Sequence, residues 1–181
     1  MITKEWKKFK GWTVLEYFLK TTKKIHIKAL ARKLKISPHT ANYYLKFYKK
    51  AHLLDEQKEG NLLFYFLVDN CLTRQLKIFY ILDLIFPHTL KFSKKNNVTS
   101  LVLYGSHASG TYDSMSDIDL LVISQQKRIN FDELKKIEKE TGKEIKIQVF
   151  SLGEWRSLKR KKDTFAQSVL SNHILLFGSE L

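Results

Sequence analysis

Cysteine is almost missing from the chain: Cys71 is the one thiol in 181 residues. A lone thiol closes no internal disulfide, and a zinc site built on cysteine pairs is excluded. Proline is nearly as scarce, limited to Pro38 and Pro87. That excludes a proline-rich spacer, and each proline marks a place where a helix starts or breaks. Long apolar runs are lacking too. The longest, IFYILDLIF at Ile78–Phe86, contains Asp83 and is too short to cross a bilayer. The opening residues, MITKEWKKFKGW, hold no apolar core of the secretory type. A cytoplasmic protein without a membrane partner is expected.

Acid is absent from one long interval. Between Glu16 and Asp55 there is no Asp or Glu, while Lys20, Lys23, Lys24, Lys28, Arg32, Lys33, Lys35, Lys46, Lys49 and Lys50 all fall there. The whole chain carries 32 Lys and Arg against 18 Asp and Glu, a formal charge of +14. Charge of that size points to a polyanionic partner. Its concentration in the first third makes that partner nucleic acid before an acidic membrane.

The same third has a readable order. WTVLEYFLKT is a short amphipathic helix, and HIKALARKLK a second, with Ile27, Leu30, Ala31 and Leu34 on one face. A tight turn follows at Ile36-Ser37. Ser37 is a good N-cap and Pro38 a good first residue for the next helix, PHTANYYLKFYKKAHLL. Ala41, Leu45 and Tyr48 fall at helical spacing and face inward, leaving His39, Asn42, Tyr43 and Lys46 outside. His52 stands where the helix ends, a position that calls for left-handed backbone. LLDEQKEGNLLFYFLV reads as a β-hairpin turning near Glu59-Gly60-Asn61.

Helix, helix, turn, helix and hairpin together resemble the winged helix-turn-helix family, over about residues 8–70. The resemblance implies that the helix from Ser37 to Lys50 enters the major groove of duplex DNA, with the hairpin turn as a wing. Ser37, Lys46, Lys50 and Lys58 would then meet the backbone, and His39, Thr40, Asn42 and Tyr43 base edges. Cys71–Phe86 is expected to be a connecting helix stopped by Pro87. Its last two turns are apolar on nearly every face, which suits burial between domains or in a homodimer contact.

The second half holds LVLYGSHASGTYDSMSDIDLLVIS, Leu101–Ser124. VTSLVLYG is a β-rich run ending in glycine, hence a buried strand and a sharp turn. Ser106 is placed to cap a short helix and Gly110 to end it. A strand–turn–helix start gathers unpaired N–H groups and a positive dipole end, an anion site that phosphate often fills. SDIDLLVIS is the next strand. Alternation puts Asp117 and Asp119 on one side, about 6–7 Å apart along it. Two carboxylates at the end of an apolar strand resist dehydration unless a cation neutralises them. Oxygen ligands select a hard cation, Mg2+ or Mn2+. A phosphate cradle beside that pair suits phosphoryl transfer from an NTP.

GSHASG followed by SDIDLLV resembles the Gly-Ser and Asp-x-Asp signature of the DNA polymerase beta-like nucleotidyltransferase superfamily, in its minimal branch, over about residues 75–178. The resemblance implies a small mixed sheet, nucleotide phosphate on Gly105 and Ser106 with Ser116 beside them, and metal on Asp117 and Asp119 as the catalytic pair. It also implies a third acid on a later strand. KEIKIQVFS is that strand, and the expected places are Lys146 and Gln148, neither of them acidic. Glu144 shares their face but comes too early. His107 reads equally as a phosphate or target contact and as a surface residue of the short helix. Asp113 reads as a turn residue before an outer metal ligand.

The expected whole is an α/β (α+β) chain of two domains: a winged helix over residues 1–70, a connecting helix and linker over 71–96, and a nucleotidyltransferase-like domain over 97–181. Its expected function is Mg-dependent NTP binding with nucleotidyl transfer to a macromolecule. Minimal domains of this branch commonly act as antitoxins on a HEPN-type toxin partner. The alternative is a DNA-binding regulator whose second domain senses nucleotide without catalysis. The acid-free interval yields a prediction: if five or so phosphates are neutralised, log affinity for DNA against log salt should slope at about −4 or steeper. Titrations across a salt series, with Lys46→Glu plus Lys50→Glu as the weakened variant, measure it; a flat response excludes the phosphate contacts.

Overall fold

A computed structural model describes residues 1–126 and 128–181. The chain divides into two compact units, Met1–Tyr80 and Ile81–Leu181.

The first unit opens with α1 (Ile2–Trp6) and α2 (Lys10–Leu19), then β1 (Ile25–His26), α3 (Ile27–Leu34), α4 (Pro38–Lys50), β2 (Leu54–Glu59) and β3 (Leu62–Leu67). The strands form an antiparallel sheet in the order β1-β3-β2, and Glu59 pairs with Leu62 across the Gly60-Asn61 turn. Helix boundaries follow local chemistry. Ser37 caps α4, its Oγ accepting the Thr40 N–H at 3.0 Å, and Pro38 is the first helical residue. His52 takes a left-handed φ of 57° at the other end, where its N–H reaches the Lys49 carbonyl. Leu30 and Ala31 of α3 and Ala41, Leu45 and Tyr48 of α4 are buried with the apolar side of α2. Glu16 is buried as well. Lys20 pairs with it at 2.7 Å, Lys7 lies 3.6 Å away and the Tyr80 hydroxyl donates to it.

Helix α5 runs from Cys71 to Lys95 with Pro87 inside it. The expected stop at Pro87 is therefore wrong. An internal proline costs about 3 kcal/mol in a helix. Ile85 and Phe92 on either side are fully buried, and burial of such side chains contributes about 1.5–3 kcal/mol each. Packing outweighs the local penalty. The Thr89 hydroxyl also donates to the Phe86 carbonyl at 3.0 Å.

The second unit is built on a mixed sheet of β4 (Ser100–Tyr104), β5 (Ile118–Ile123), β6 (Ile145–Phe150) and β7 (His173–Gly178), in the order β6-β5-β4-β7. Only the β5–β6 pair is parallel among the described pairings. One face packs Leu101, Leu103, Ile118, Leu120 and Val122 against α5, α6 (Gly105–Ser109) and α7 (Asp132–Thr141). The other packs Val102, Leu121 and Ile123 against α8 (Leu152–Arg160) and α9 (Thr164–Ser171), around Trp155.

Glu133 ties α7 to the end of α5. It accepts from Lys136 at 2.9 Å and from Lys95 at 3.2 Å. Hydrogen bonds from those two ammonium groups hold its carboxyl at about 2, down from the ordinary 4.5. A depressed carboxyl stabilises the fold above its unfolded value and stops doing so as pH falls through the folded one. Stability should therefore decline between about pH 4.5 and 2. Acid titration of thermal unfolding should show a shallower decline for Glu133→Gln than for the parent; equal slopes would discount this link.

Candidate functional site

Strand β4 runs straight into the turn that makes the site. Gly105 has φ of +70°, and a Cβ there would lie 2.6 Å from Asp119 Oδ2. Backbone conformation and close approach both demand glycine. The Asp119 carboxylate thus lies directly against the Gly105 backbone. Antiparallel register sets Tyr104 opposite Asp119, and parallel register sets Lys146 opposite Asp119 on its other side. Asp117 precedes β5 by one residue and shares the Asp119 side by alternation, the side of Leu121, Ile123, α8 and α9.

Charge in this row is unevenly shared. Lys146 Nζ lies 2.6 Å from Asp117 Oδ2. That hydrogen bond holds the lysine ammonium above its ordinary range. Burial pushes the Asp119 carboxyl up, Lys146 draws it down and Asp117 adds to the rise. Burial likewise raises the Tyr104 phenol, with Asp119 contributing. The half-buried Asp119 is the carboxylate with most to gain from a further cation.

The loop before Asp117 is braced from within. Asp113 Oδ1 accepts from the Met115 N–H at 2.9 Å and the Ser116 hydroxyl at 3.0 Å, and Ser116 Oγ accepts the Asp113 N–H. Lys143 Nζ donates to the carbonyls of Asp113 and Ser116 at 2.7 and 2.9 Å and lies over the Tyr112 ring. Burial holds that ammonium below its ordinary range. Asp113 is a turn residue, and the Ser116 hydroxyl is engaged in the turn.

Residues 88–179 match the family model described as Nucleotidyltransferase domain. The chain belongs to this nucleotidyltransferase family. No curated protein matches it. Among solved structures, similar chains include a toxin–antitoxin with AMP-PNP (20% identity, 52% of this chain and 74% of that one, TM-score 0.39). A mutant of the toxin–antitoxin MntA-HpeT is similar at 16% identity over 52% and 74%, TM-score 0.38. A candidate nucleotidyltransferase from Sulfolobus solfataricus is similar at 17% over 57% and 85%, TM-score 0.34.

Within the nucleotidyltransferase domain, two sequence expectations fail. Ser106 does not cap α6: the cap position is Tyr104, without a side-chain bond, because the left-handed Gly105 opens the helix earlier. His107 is neither a surface residue nor open to a phosphate. It is buried, stacked on Tyr112 at 4.2 Å. Gly110 does end the helix, at φ 71°. Ser106 is partly exposed beside Gly105. Gln148 pairs with Leu121, beyond the carboxylates, and the Glu144 carbonyl takes the Ile118 N–H before β6 begins. No group of three or more His, Cys, Asp or Glu that could hold a metal forms among the described residues. Sequence reading missed Lys143 and the Lys146–Asp117 pair; the parallel register of β5 and β6 sets Lys146 beside the carboxylates, and Lys143 reaches the loop from just before β6.

In the first unit, His39, Tyr43, Lys46 and Lys50 are exposed on α4 and Lys58 on β2. Asn42 and Thr40 are partly exposed, and the Thr40 hydroxyl meets Ser37 Oγ at 2.8 Å. Not every lysine of the basic interval is available. Lys20 pairs with Glu16, Lys24 with Glu59 and Lys49 with Glu56.

Gly105 yields the prediction for this site. Gly105→Ala should cost at least roughly 1–2 kcal/mol from the left-handed backbone alone, and should displace Asp119. Thermal denaturation measures the first effect and nucleotide titration the second. Unchanged stability would mean the turn can relax away from Asp119.

Proposed function

We propose that this nucleotidyltransferase-family chain binds an NTP with a hard divalent cation, joined to an N-terminal winged helix that binds nucleic acid. The observation that carries the reading is the close packing of Asp119 on Gly105, with Asp117 on the same side and Lys146 paired to it.

Asp117 and Asp119 would hold Mg2+ or Mn2+. Two carboxylates of this kind fit one hard cation whose remaining ligands are phosphate oxygens and water. When bound, the cation neutralises charge on the transferring phosphate. The chain's own part is to hold and orient. N–H groups at the Gly105-Ser106 turn receive phosphate, and the Asp113–Ser116 turn, braced by Lys143, fixes the approach to Asp117. Lys146 is the departure from the family pattern. A charged ammonium can donate to phosphate but cannot take a proton from an attacking hydroxyl. Binding should therefore be competent and transfer slow. A macromolecular acceptor, including a HEPN-type toxin partner, is the form that the family resemblance implies.

The same lysine favours a second reading: a nucleic-acid-binding regulator whose nucleotidyltransferase domain senses nucleotide without turnover. Incubation with labelled ATP or CTP and cell extract separates the two. Label on protein or RNA supports the enzyme, and binding without transfer supports the regulator.

Lys146 supplies the sharper test. A positioned base contributes about 10²–10⁴-fold, so Lys146→Asp should raise transfer toward that range in a labelling assay. In calorimetry with Mn2+ and a non-hydrolysable NTP, Asp117→Asn should remove most of the metal dependence. Robust parent transfer that Lys146→Asp does not improve, and that Glu144→Gln abolishes, would make Glu144 the base instead.

A further inference from the structure

Helix α4 carries two rings that the fold leaves outside. Tyr43 and Phe47 are 61% and 55% exposed, while Ala41, Leu45 and Tyr48 on the same helix are buried. Residues four apart are neighbours on a helix surface, so the two rings form one patch. Each lies near-perpendicular to the ring of the next residue. Tyr43 meets Tyr44 at 5.1 Å and 81°, and Phe47 meets Tyr48 at 5.3 Å and 70°. Tyr44 and Tyr48 in turn stack on each other at 6.3 Å.

The charges that α4 itself contributes are of one sign. Helix α4 has no acidic residue, and Lys46 and Lys50 are exposed beside the rings. Lys49 differs, paired with Glu56 at 2.6 Å. A cationic rim around exposed aromatic rings complements a ligand with phosphates and open π-faces together. Duplex DNA does not offer both. Its base faces are sealed in the stack, and an apolar ring in the major groove finds only thymine methyl groups. A single strand offers unpaired bases to stack on aromatic side chains while cations follow its backbone.

We propose that the outer face of α4 binds single-stranded nucleic acid. Bases stack on Tyr43 and Phe47, and Lys46 and Lys50 meet the phosphates. The proposal rests on the reading of the first unit as a nucleic-acid-binding module and gives that module its substrate class. It replaces the duplex that the winged-helix resemblance implies.

The test uses the full chain in fluorescence anisotropy at fixed low salt. The probes are a labelled mixed-sequence single strand and a duplex of the same length and sequence. The single strand should bind about tenfold tighter or more, and Phe47→Ala or Tyr43→Ala should each weaken it by about 5-fold to 100-fold, the range for loss of one stacked base. Phe47→Leu keeps the patch apolar but removes the ring, and should weaken binding like Phe47→Ala; Tyr43→Phe should retain it. Circular dichroism checks that each variant is folded. Equal or tighter duplex binding overturns the proposal while sparing the wider reading, and so does a Phe47→Leu variant that binds as the parent does. Failure to bind either probe overturns both. A dimer in light scattering that Phe47→Ala dissociates, with strand affinity unchanged, assigns the patch to a second copy and likewise overturns the proposal.

Discussion

The Asp119 carboxylate presses on a backbone that has no side chain to spare. Gly105 must be left-handed to turn β4 into α6, and its bare Cα leaves the space that Asp119 Oδ2 fills. Sheet register then fixes the neighbours, with Tyr104 on one side of Asp119 and Lys146 on the other. Slipping β5 by one residue would turn the carboxylate to the opposite face, into the apolar layer of α5 and α7. The site's geometry is thus a consequence of strand pairing, and the Gly105 turn and the acid pair are parts of one construction.

Within that construction the lysine changes the chemistry. A third acid would add negative charge to a place already holding two carboxylates. Lys146 instead neutralises Asp117 in the absence of any added ion, leaving Asp119 the more in need of a cation because it is half buried. The arrangement favours holding an anionic ligand over activating a hydroxyl. Family membership supports transferase chemistry in general; in the proposed reading Lys146 is what slows it.

The first unit poses a different question, one of surface rather than site. Its positive charge is not uniform: three lysines of the acid-free interval are paired with Glu16, Glu56 and Glu59, and others are exposed on α3 and α4. Beside the exposed ones lie the rings of Tyr43 and Phe47. In the proposed reading the charge calls for a polyanion and the rings for its single-stranded form.

Much was legible in the sequence because it depends on neighbours along the chain. Ser37-Pro38 starting a helix, His52 ending it, the two-residue hairpin turn and the alternation that puts Asp117 with Asp119 are all local rules of backbone geometry and period. The family motif is local too, a short turn and a short strand. Apart from the Ser106 cap, which the adjacent left-handed Gly105 pre-empts, what failed or was missed is non-local. Pro87 lies inside a helix because burial of Ile85 and Phe92 outweighs the lost hydrogen bond. His107 is buried because Tyr112 folds back over it, and Lys146 on β6 and Lys143 just before it arrive from some thirty residues away. Local signals determine where elements begin, end and face. Only the tertiary structure decides which charges meet, because strand register and packing, not chain order, bring them within a hydrogen bond of each other.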